Sequence, residues 1–342
     1  MITAGTNQID LLVQQAIAEF GCPPDSRVAF VKHRENHVFR VANDDGEWAL
    51  KLHRRGYRSD REIESEAAAC ELIGSAGVRV PHPLRTLGGS YVASVGSGEG
   101  MHQATMQVWV PNASPIGDSA AILAGGPRPA DETLFDLGRT MALMHRCAEQ
   151  AQTPPDYERP AWDAEGLVGA APLWGRASEL PALDVRTRSL VLELEQRLRL
   201  ELGALRKSAR TYGPIHGDVT MENVLRDEDG LVVIDFDDMG DGWYVFDVAT
   251  ACFFFTGHPE AERMIERTME GYAVERVLTP EDARAWHPLL LARALTYLGW
   301  SVARPTEEAT AFHIAEVLPR VAAAGRRYLD TGRTGWPDLP VG

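Results

Sequence analysis

Ile215-His216-Gly217-Asp218-Val219-Thr220-Met221-Glu222-Asn223-Val224 is the stretch on which the reading of this chain turns. Twelve residues after Asn223 comes Asp235, inside the run Val232-Val233-Ile234-Asp235-Phe236-Asp237. Phosphoryl transfer from ATP asks little of a protein. One carboxylate accepts or orients the proton of the attacking hydroxyl, and an amide and a second carboxylate hold Mg²⁺ against the phosphates. Asp-x-x-x-x-Asn, followed by an Asp that closes a short apolar strand, supplies those groups in that order. Asp218 is therefore the candidate base, and Asn223 and Asp235 are the candidate metal ligands.

Upstream of this stretch the chain reads as a small sheet with helices. Ile9, Leu12, Val13, Ala16, Ile17 and Phe20 share one helical face over residues 7–20, with Thr6 or Asn7 as the cap. Strand-like runs follow at 27–31, 37–41 and 48–52, with Asn43-Asp44-Asp45-Gly46 as a turn between the last two. Ser59-Asp60-Arg61-Glu62 is a capping box that opens a helix to about residue 76. Two further strands are expected at 91–95 and 104–110. Residues 111–129, rich in Pro, Gly, Ala and Ser, read as a linker. Helical periodicity then covers 131–146 and 185–207. Beyond the central stretch it returns at 245–256, 260–272, 280–302 and 308–328.

The 342 residues, 44% of them hydrophobic, exceed what one core usually serves, so two domains are expected, 1–110 and 111–342. A formal net charge of −15 argues against nonspecific binding of nucleic acid and against attachment to anionic lipid. Cys22, Cys70, Cys147 and Cys252 lie far apart and form no C-x-x-C pair, so neither a disulfide framework nor a zinc ribbon is implied. MITAGTNQIDLL has no basic region leading into an apolar core, and the apolar run 245–255 is interrupted by Asp247 and too short for a bilayer. A cytoplasmic protein with no membrane partner is the expectation.

Lys51, in Trp48-Ala49-Leu50-Lys51-Leu52, stands where a strand lysine would grip the α/β-phosphates and pair with a helical glutamate. Glu66 shares its helix face with Ile63, Cys70 and Ile73, and a carboxylate on an apolar stripe needs a partner. Lys51 is the expected one. The connection His33-Arg34-Glu35-Asn36-His37 occupies the place of a phosphate-covering loop but holds no glycine, which leaves Asn36 as its phosphate-contact candidate. The acidic residues after Ile234 fail as an EF-hand, since its fifth and twelfth positions are Met239 and Phe246. His145 and His216 read as structural hydrogen-bonders, and Asp247 as a cap on backbone groups of the central loop.

IHGDVTMENVL, VVIDFDD with the following VFDVA, the lysine of WALKLH, and the helix SDREIESE ending in VRVPHP together resemble the aminoglycoside phosphotransferase/choline kinase superfamily. LKLHRRGYRSDREIESE and ARALTYLGWSVARP are most similar to its homoserine-kinase-type and bacterial stress-response-kinase branch. The resemblance implies an α+β, protein-kinase-like bilobal fold, with a small antiparallel-sheet N-lobe carrying one helix and a larger helical C-lobe. It implies ATP and Mg²⁺ as cofactors, Asp218 as base, Asn223 and Asp235 on Mg²⁺, and Lys51 with Glu66 as the ATP-orienting pair. It also places at Gln107-Val108-Trp109-Val110 the hinge whose backbone holds adenine. The expected activity is transfer of the γ-phosphate to a hydroxyl of a small, amine-bearing molecule. Glu222, Asp237, Asp238 and Asp241 are candidates for holding the amine or supporting the metal. A protein Ser/Thr kinase is the alternative, disfavoured by the lack of an A-P-E-type anchor after Asp235, and a catalytically silent binding protein is a third reading.

Overall fold

The computed structural model describes residues 3–33, 36–152 and 154–340. The chain divides into two compact units. The first takes the chain up to Ala113 together with Gln152–Arg159 and Val232–Asp237, and the second takes Ser114–Ala151, Pro160–Leu231 and everything from Asp238 onward. The first division falls three residues beyond the expected one. The two later segments of the first unit were not expected at all.

The first unit opens with α1 (Thr3–Glu19), followed by β1 (Arg27–His33), β2 (His37–Asn43), β3 (Gly46–Leu52), α2 (Asp60–Ser75), β4 (Ala93–Val95) and β5 (His102–Val108). The strands form one sheet in the order β1-β2-β3-β5-β4. Each of its pairings is antiparallel. α1 begins at Thr3, so Thr6 and Asn7 lie inside its first turns instead of capping it. Leu12, Val13, Ala16 and Ile17 of α1, with Phe20 just beyond it, pack with Val41, Leu50, Leu52, Ala93, Val95, Ala104 and Met106 of the sheet. The period-2 alternation of β3 sends Leu50 and Leu52 into that core and leaves Lys51 on the opposite face. The capping box of α2 is formed as expected, with Ser59 Oγ accepting from Glu62 N–H and Glu62 accepting from Ser59 N–H.

In the second unit β6 (Ser114–Pro115) and α3 (Ser119–Leu123) interrupt the stretch expected to be a linker. α3 is capped by Asp118, and Ile122 and Leu123 are fully buried. The unit continues with α4 (Asp131–Gln150), β7 (Ala161–Trp162), α5 (Ala164–Val168), α6 (Val185–Ala204), β8 (Tyr212–Ile215) and β9 (Val224–Asp227). β10 (Gly230–Val233) carries the chain across the unit boundary. After it come β11 (Gly240–Trp243), α7 (Tyr244–Phe253), α8 (Ala261–Glu275), α9 (Pro280–Val302), α10 (Glu308–Phe312) and α11 (Leu318–Thr331). β11 runs antiparallel to β8 and parallel to β7, and β6 pairs with β9. The helix expected over 308–328 runs from Glu308 to Thr331 and passes through a π-turn at His313–Val317. Pro319 has no N–H for the α-ladder, so a regular α-helix through it would lose a bond and clash with the preceding turn. α9 is buried on all sides from Ala285 to Gly299, the environment of a helix at the centre of its unit. No described helix is long and apolar enough to cross a membrane.

Candidate active site

In the first unit, Lys51 is the centre of a charge cluster. Its Nζ lies 2.5 Å from Asp237 Oδ1 and 3.2 Å from Asp235 Oδ1. Lys32 Nζ stands 3.7 Å from the other Asp235 oxygen. Burial works against the Lys51 charge, but Asp237, Asp235 and Glu66 outweigh it and hold the ammonium well above the usual lysine value. Asp235 itself has φ +65°, a left-handed conformation in which aspartate is among the few tolerated side chains. Such strain persists only where the surroundings over-determine it.

The direct pairing of Lys51 with Glu66 expected from the sequence is not formed. The two aspartates, two residues apart, take the ammonium, and Glu66 acts on it only through its field. The Glu66 carboxylate instead lies 3.5 Å from Arg159, whose side chain is fully buried. Arg159 also donates to the carbonyls of Glu62 at 3.0 Å, Phe236 at 3.3 Å and Asp237 at 2.6 Å. It thereby ties α2 to the Asp235–Asp237 segment. Burial raises the Glu66 pKa, Asp237 adds to the rise, and Lys51 and Arg159 oppose it without cancelling it.

Asn36 joins the same cluster. Its Nδ2 donates to Asp237 Oδ2, and its Oδ1 accepts from Arg54 N–H at 2.8 Å. The side chain proposed to reach phosphate is thus committed at both ends to organising Asp237. Arg34 and Glu35 of that connection lie outside the described residues. Gln107 pairs with Ala49, two positions along β5 from the Thr105 that pairs with Lys51. Trp109 N–H donates to Glu47 O at 2.9 Å and Val108 N–H to His82 O at 2.9 Å. Two amides of the expected hinge are therefore already occupied, and the Trp109 ring lies against the Arg40 guanidinium, 5.2 Å from the ring centroid.

In the second unit, the loop His216–Asn223 joins β8 to β9. Gly217 has φ +79°, and a Cβ there would stand 2.5 Å from Asp238 O and 2.7 Å from Trp162 Nε1. Only glycine fits. Asp247, fully buried at the start of α7, accepts from the amides of His216 and Gly217 at 2.8 Å each. It does cap the loop. His145 completes the arrangement, with Nε2 3.2 Å from Asp247 and Nδ1 2.8 Å from Tyr272 Oη. Burial alone would raise the Asp247 pKa, but His145 and the loop amides more than offset it and the carboxyl is held below its usual range. Burial pushes His145 down while Asp247 opposes it, and with both ring nitrogens bonded to buried partners the imidazole serves as a structural hydrogen-bonder.

This scaffold presents Asp218. Arg293 Nη2 donates to its Oδ1, and Asn223 Nδ2 donates to its Oδ2 at 3.0 Å and to its carbonyl at 3.0 Å. The Asn223 amide nitrogen is therefore committed to Asp218, which leaves its carbonyl oxygen, a hard donor, for a cation. Of the four carboxylates expected to hold substrate or support the metal, Asp237 sits in the lysine cluster. Asp238 Oδ1 accepts from Trp174 Nε1 at 3.1 Å. Asp241 lies on β11 opposite Pro214, with its carbonyl accepting from Tyr212 Oη at 3.2 Å. Glu222 differs from the expectation. Its two oxygens accept from Ser119 N–H at 2.6 Å and Ser119 Oγ at 2.7 Å, so it anchors α3. Among the described residues no group of three or more His, Cys, Asp or Glu side chains is placed to cage a metal.

Two residues escaped the sequence reading. Arg159 lies in a Pro-rich loop with no periodic pattern to mark it. Arg293 did carry a signal: it is the one charge inside Leu289-Leu290-Leu291-Ala292-Arg293-Ala294-Leu295-Thr296-Tyr297-Leu298, and a charge in an apolar helix needs a partner.

A sheet unit with a strand lysine among carboxylates, and a helical unit presenting an Asp–Asn loop, define a kinase-like phosphotransferase. Residues 27–289 match the family described as the phosphotransferase enzyme family, and the chain belongs to it. It is an enzyme that transfers phosphate to a hydroxyl, in a family of small-molecule kinases. The amicoumacin kinase of Bacillus subtilis (strain 168) is 25% identical over 280 residues, covering 79% of this chain and 77% of that protein. Among solved structures, a microcompartment-associated aminopropanol kinase superposes with a TM-score of 0.80 at 24% identity, over 95% of this chain and 98% of that one. An amicoumacin kinase in complex with AMP-PNP, Ca²⁺ and Ami gives 0.76 at 18% identity, over 100% and 98%. The kinase-like fold expected from the sequence is the fold observed.

Proposed function

We propose that the chain is an ATP- and Mg²⁺-dependent kinase that phosphorylates a hydroxyl of a small, amine-bearing molecule. The observation that carries this reading is the Asp218 carboxylate, held by both of its oxygens on a loop that Asp247 and Gly217 fix in place. In the reaction the acceptor oxygen forms a bond to the γ-phosphorus as the bond from that phosphorus to the β,γ-bridging oxygen breaks. ADP leaves, and the hydroxyl proton passes to Asp218. Proton transfer to a positioned base contributes about 10²- to 10⁴-fold. Lys51 binds and orients the nucleotide phosphates. Asp235 and the Asn223 carbonyl oxygen keep the metal-ligand roles of the family motif, and the cation supplies charge neutralisation at the transferring phosphoryl. With no protein cage among the described residues, one or two protein oxygens per Mg²⁺ suit a metal that takes its other ligands from phosphate and water.

Asp238, a half-buried carboxylate against Trp174, is the group that suits an ammonium of the acceptor. The relation to an aminopropanol kinase, whose named substrate joins an amine to a hydroxyl, supports that choice. The test is ADP release from ATP·Mg²⁺ against aminopropanol, homoserine, choline, ethanolamine, amicoumacin, an aminoglycoside and a generic protein. One small molecule should stimulate turnover saturably, and Asp218→Asn should reduce that turnover at least 10²-fold. Labelling of protein alone would overturn the reading in favour of a Ser/Thr protein kinase.

A further inference from the structure

Arg293 sits at the middle of α9 with no exposed surface. Its guanidinium carbon lies 4.5 Å from the Trp174 ring centroid, 4.3 Å from that of Tyr297 and 5.8 Å from that of Phe246. Inside this aromatic cage Nη1 donates to Gly217 O at 3.1 Å, and Nη2 donates to Asp218 Oδ1 and to Tyr297 Oη, the latter at 2.9 Å. Nε is buried without a hydrogen-bond partner. A fully desolvated cation with part of its donor fork unused is a poor stabilising device, because its desolvation is only partly repaid. What the arrangement does achieve is geometric. Arg293 grips one oxygen of Asp218 and the carbonyl of the preceding residue, while Asn223 grips the other oxygen.

We propose that Arg293 is a positioning residue for the phosphotransfer step: it fixes the rotamer and plane of the Asp218 carboxylate so that the acceptor hydroxyl meets a pre-aligned base. The inference rests on the reading of Asp218 as that base. Misplacing a reacting group by about 1 Å can cost 10²-fold in rate, and Arg293 resists rotation of the Asp218 side chain from its Oδ1 side. The arginine works through Asp218 without touching substrate. Its effect therefore belongs to turnover and not to nucleotide affinity.

The test is a double-mutant cycle of Arg293→Met and Asp218→Asn, read as Mg²⁺-dependent ADP release from ATP with water as acceptor. Arg293→Met should lower kcat about 10²-fold and leave the KM for ATP within about threefold. In the Asp218→Asn background the same change should cost less than about threefold, since residues that act as a unit are not additive. Arg293→Lys, which keeps the charge but loses the fork, should recover part of the rate. Should Arg293→Met fail to fold, the lysine variant enters the cycle in its place, and its smaller loss of kcat should likewise vanish in the Asp218→Asn background with the KM for ATP unchanged. A cycle in which the two losses multiply would show that Arg293 merely holds the unit together, and a raised KM with unchanged kcat would equally overturn the proposal. Undiminished turnover in Asp218→Asn alone would instead sink the assignment of the base.

Discussion

Arg159→Met isolates what a single buried arginine does for the first unit. The substitution keeps an unbranched apolar stem but removes the donors that reach Glu62 O, Phe236 O, Asp237 O and the Glu66 carboxylate. Breaking a buried ion pair from one side costs about 3–5 kcal/mol, because the remaining charge stays buried and uncompensated. Glu66 is 15% exposed and retains Lys51 as a more distant counter-charge, which places the expected loss toward the lower end, about 3 kcal/mol. The loss should be local. Amides of α2 should exchange hydrogen through an opening whose free energy falls by that amount, while α9 amides keep theirs. Adding Glu66→Gln removes the charge that Arg159 compensates, so the double variant should regain about 1–2 kcal/mol over Arg159→Met. Native-state hydrogen exchange read by mass spectrometry makes the measurement. If α2 in Arg159→Met opens within about 0.5 kcal/mol of wild type, Arg159 does not hold the helix and the argument fails.

Two further perturbations address the loop of the second unit. Asp247→Asn should cost about 2–3 kcal/mol, since a charge-assisted bond to two amides and to His145 is weakened, and it should alter the acid limb of stability. A carboxylate held below its usual range contributes stability that is present above about pH 4 and is lost as pH falls through its folded value. His145, also lowered, contributes stability above about pH 6.5 that is lost on acidification. Urea midpoints followed from pH 7 to pH 3 should therefore fall less steeply in Asp247→Asn than in wild type, and parallel curves would contradict the assignment. Gly217→Ala forces a side chain into positive φ, at about 1–2 kcal/mol, and against Asp238 O. It should lower turnover at least tenfold and the urea midpoint measurably, and wild-type values for both would refute the steric argument.

The parts of the site that the sequence disclosed are those whose chemistry is local. Asp218 and Asn223 lie five residues apart on one loop, the Ser59 box is a four-residue signal, and Lys51 declares its face by alternation with Leu50 and Leu52. Pairings across long separations were not legible in the same way. Glu66 announced that it needed a counter-charge, but nothing in the sequence distinguished Lys51, expected from the family pattern, from Arg159, 93 residues away in a loop without periodicity. Glu222 looked available for substrate because its partner Ser119 lay in a stretch whose Pro and Gly content masked a short helix. Arg293 could have been found by the reasoning applied to Glu66, since both are charges on apolar faces. The π-turn in the last helix was likewise readable at Pro319, although periodicity alone runs through it.

The first unit is assembled from chain segments that are far apart in time as well as in sequence. Lys51 and Asp235, which meet in the folded protein, are separated by 184 residues. At about 5–20 residues per second of synthesis, the aspartates reach the lysine roughly 10–40 s after it has emerged. Over that interval the sheet and α1 can collapse on their shared core, yet the lysine on its other face still lacks Asp235 and Asp237, with only Glu66 of its three carboxylates made. By the time Val232–Asp237 arrives, α4, α5 and α6 of the second unit have already left the ribosome. The two units therefore cannot be completed strictly in succession, because a nascent chain halted before Val232 would lack Asp235 and Asp237, the two carboxylates that hold Lys51.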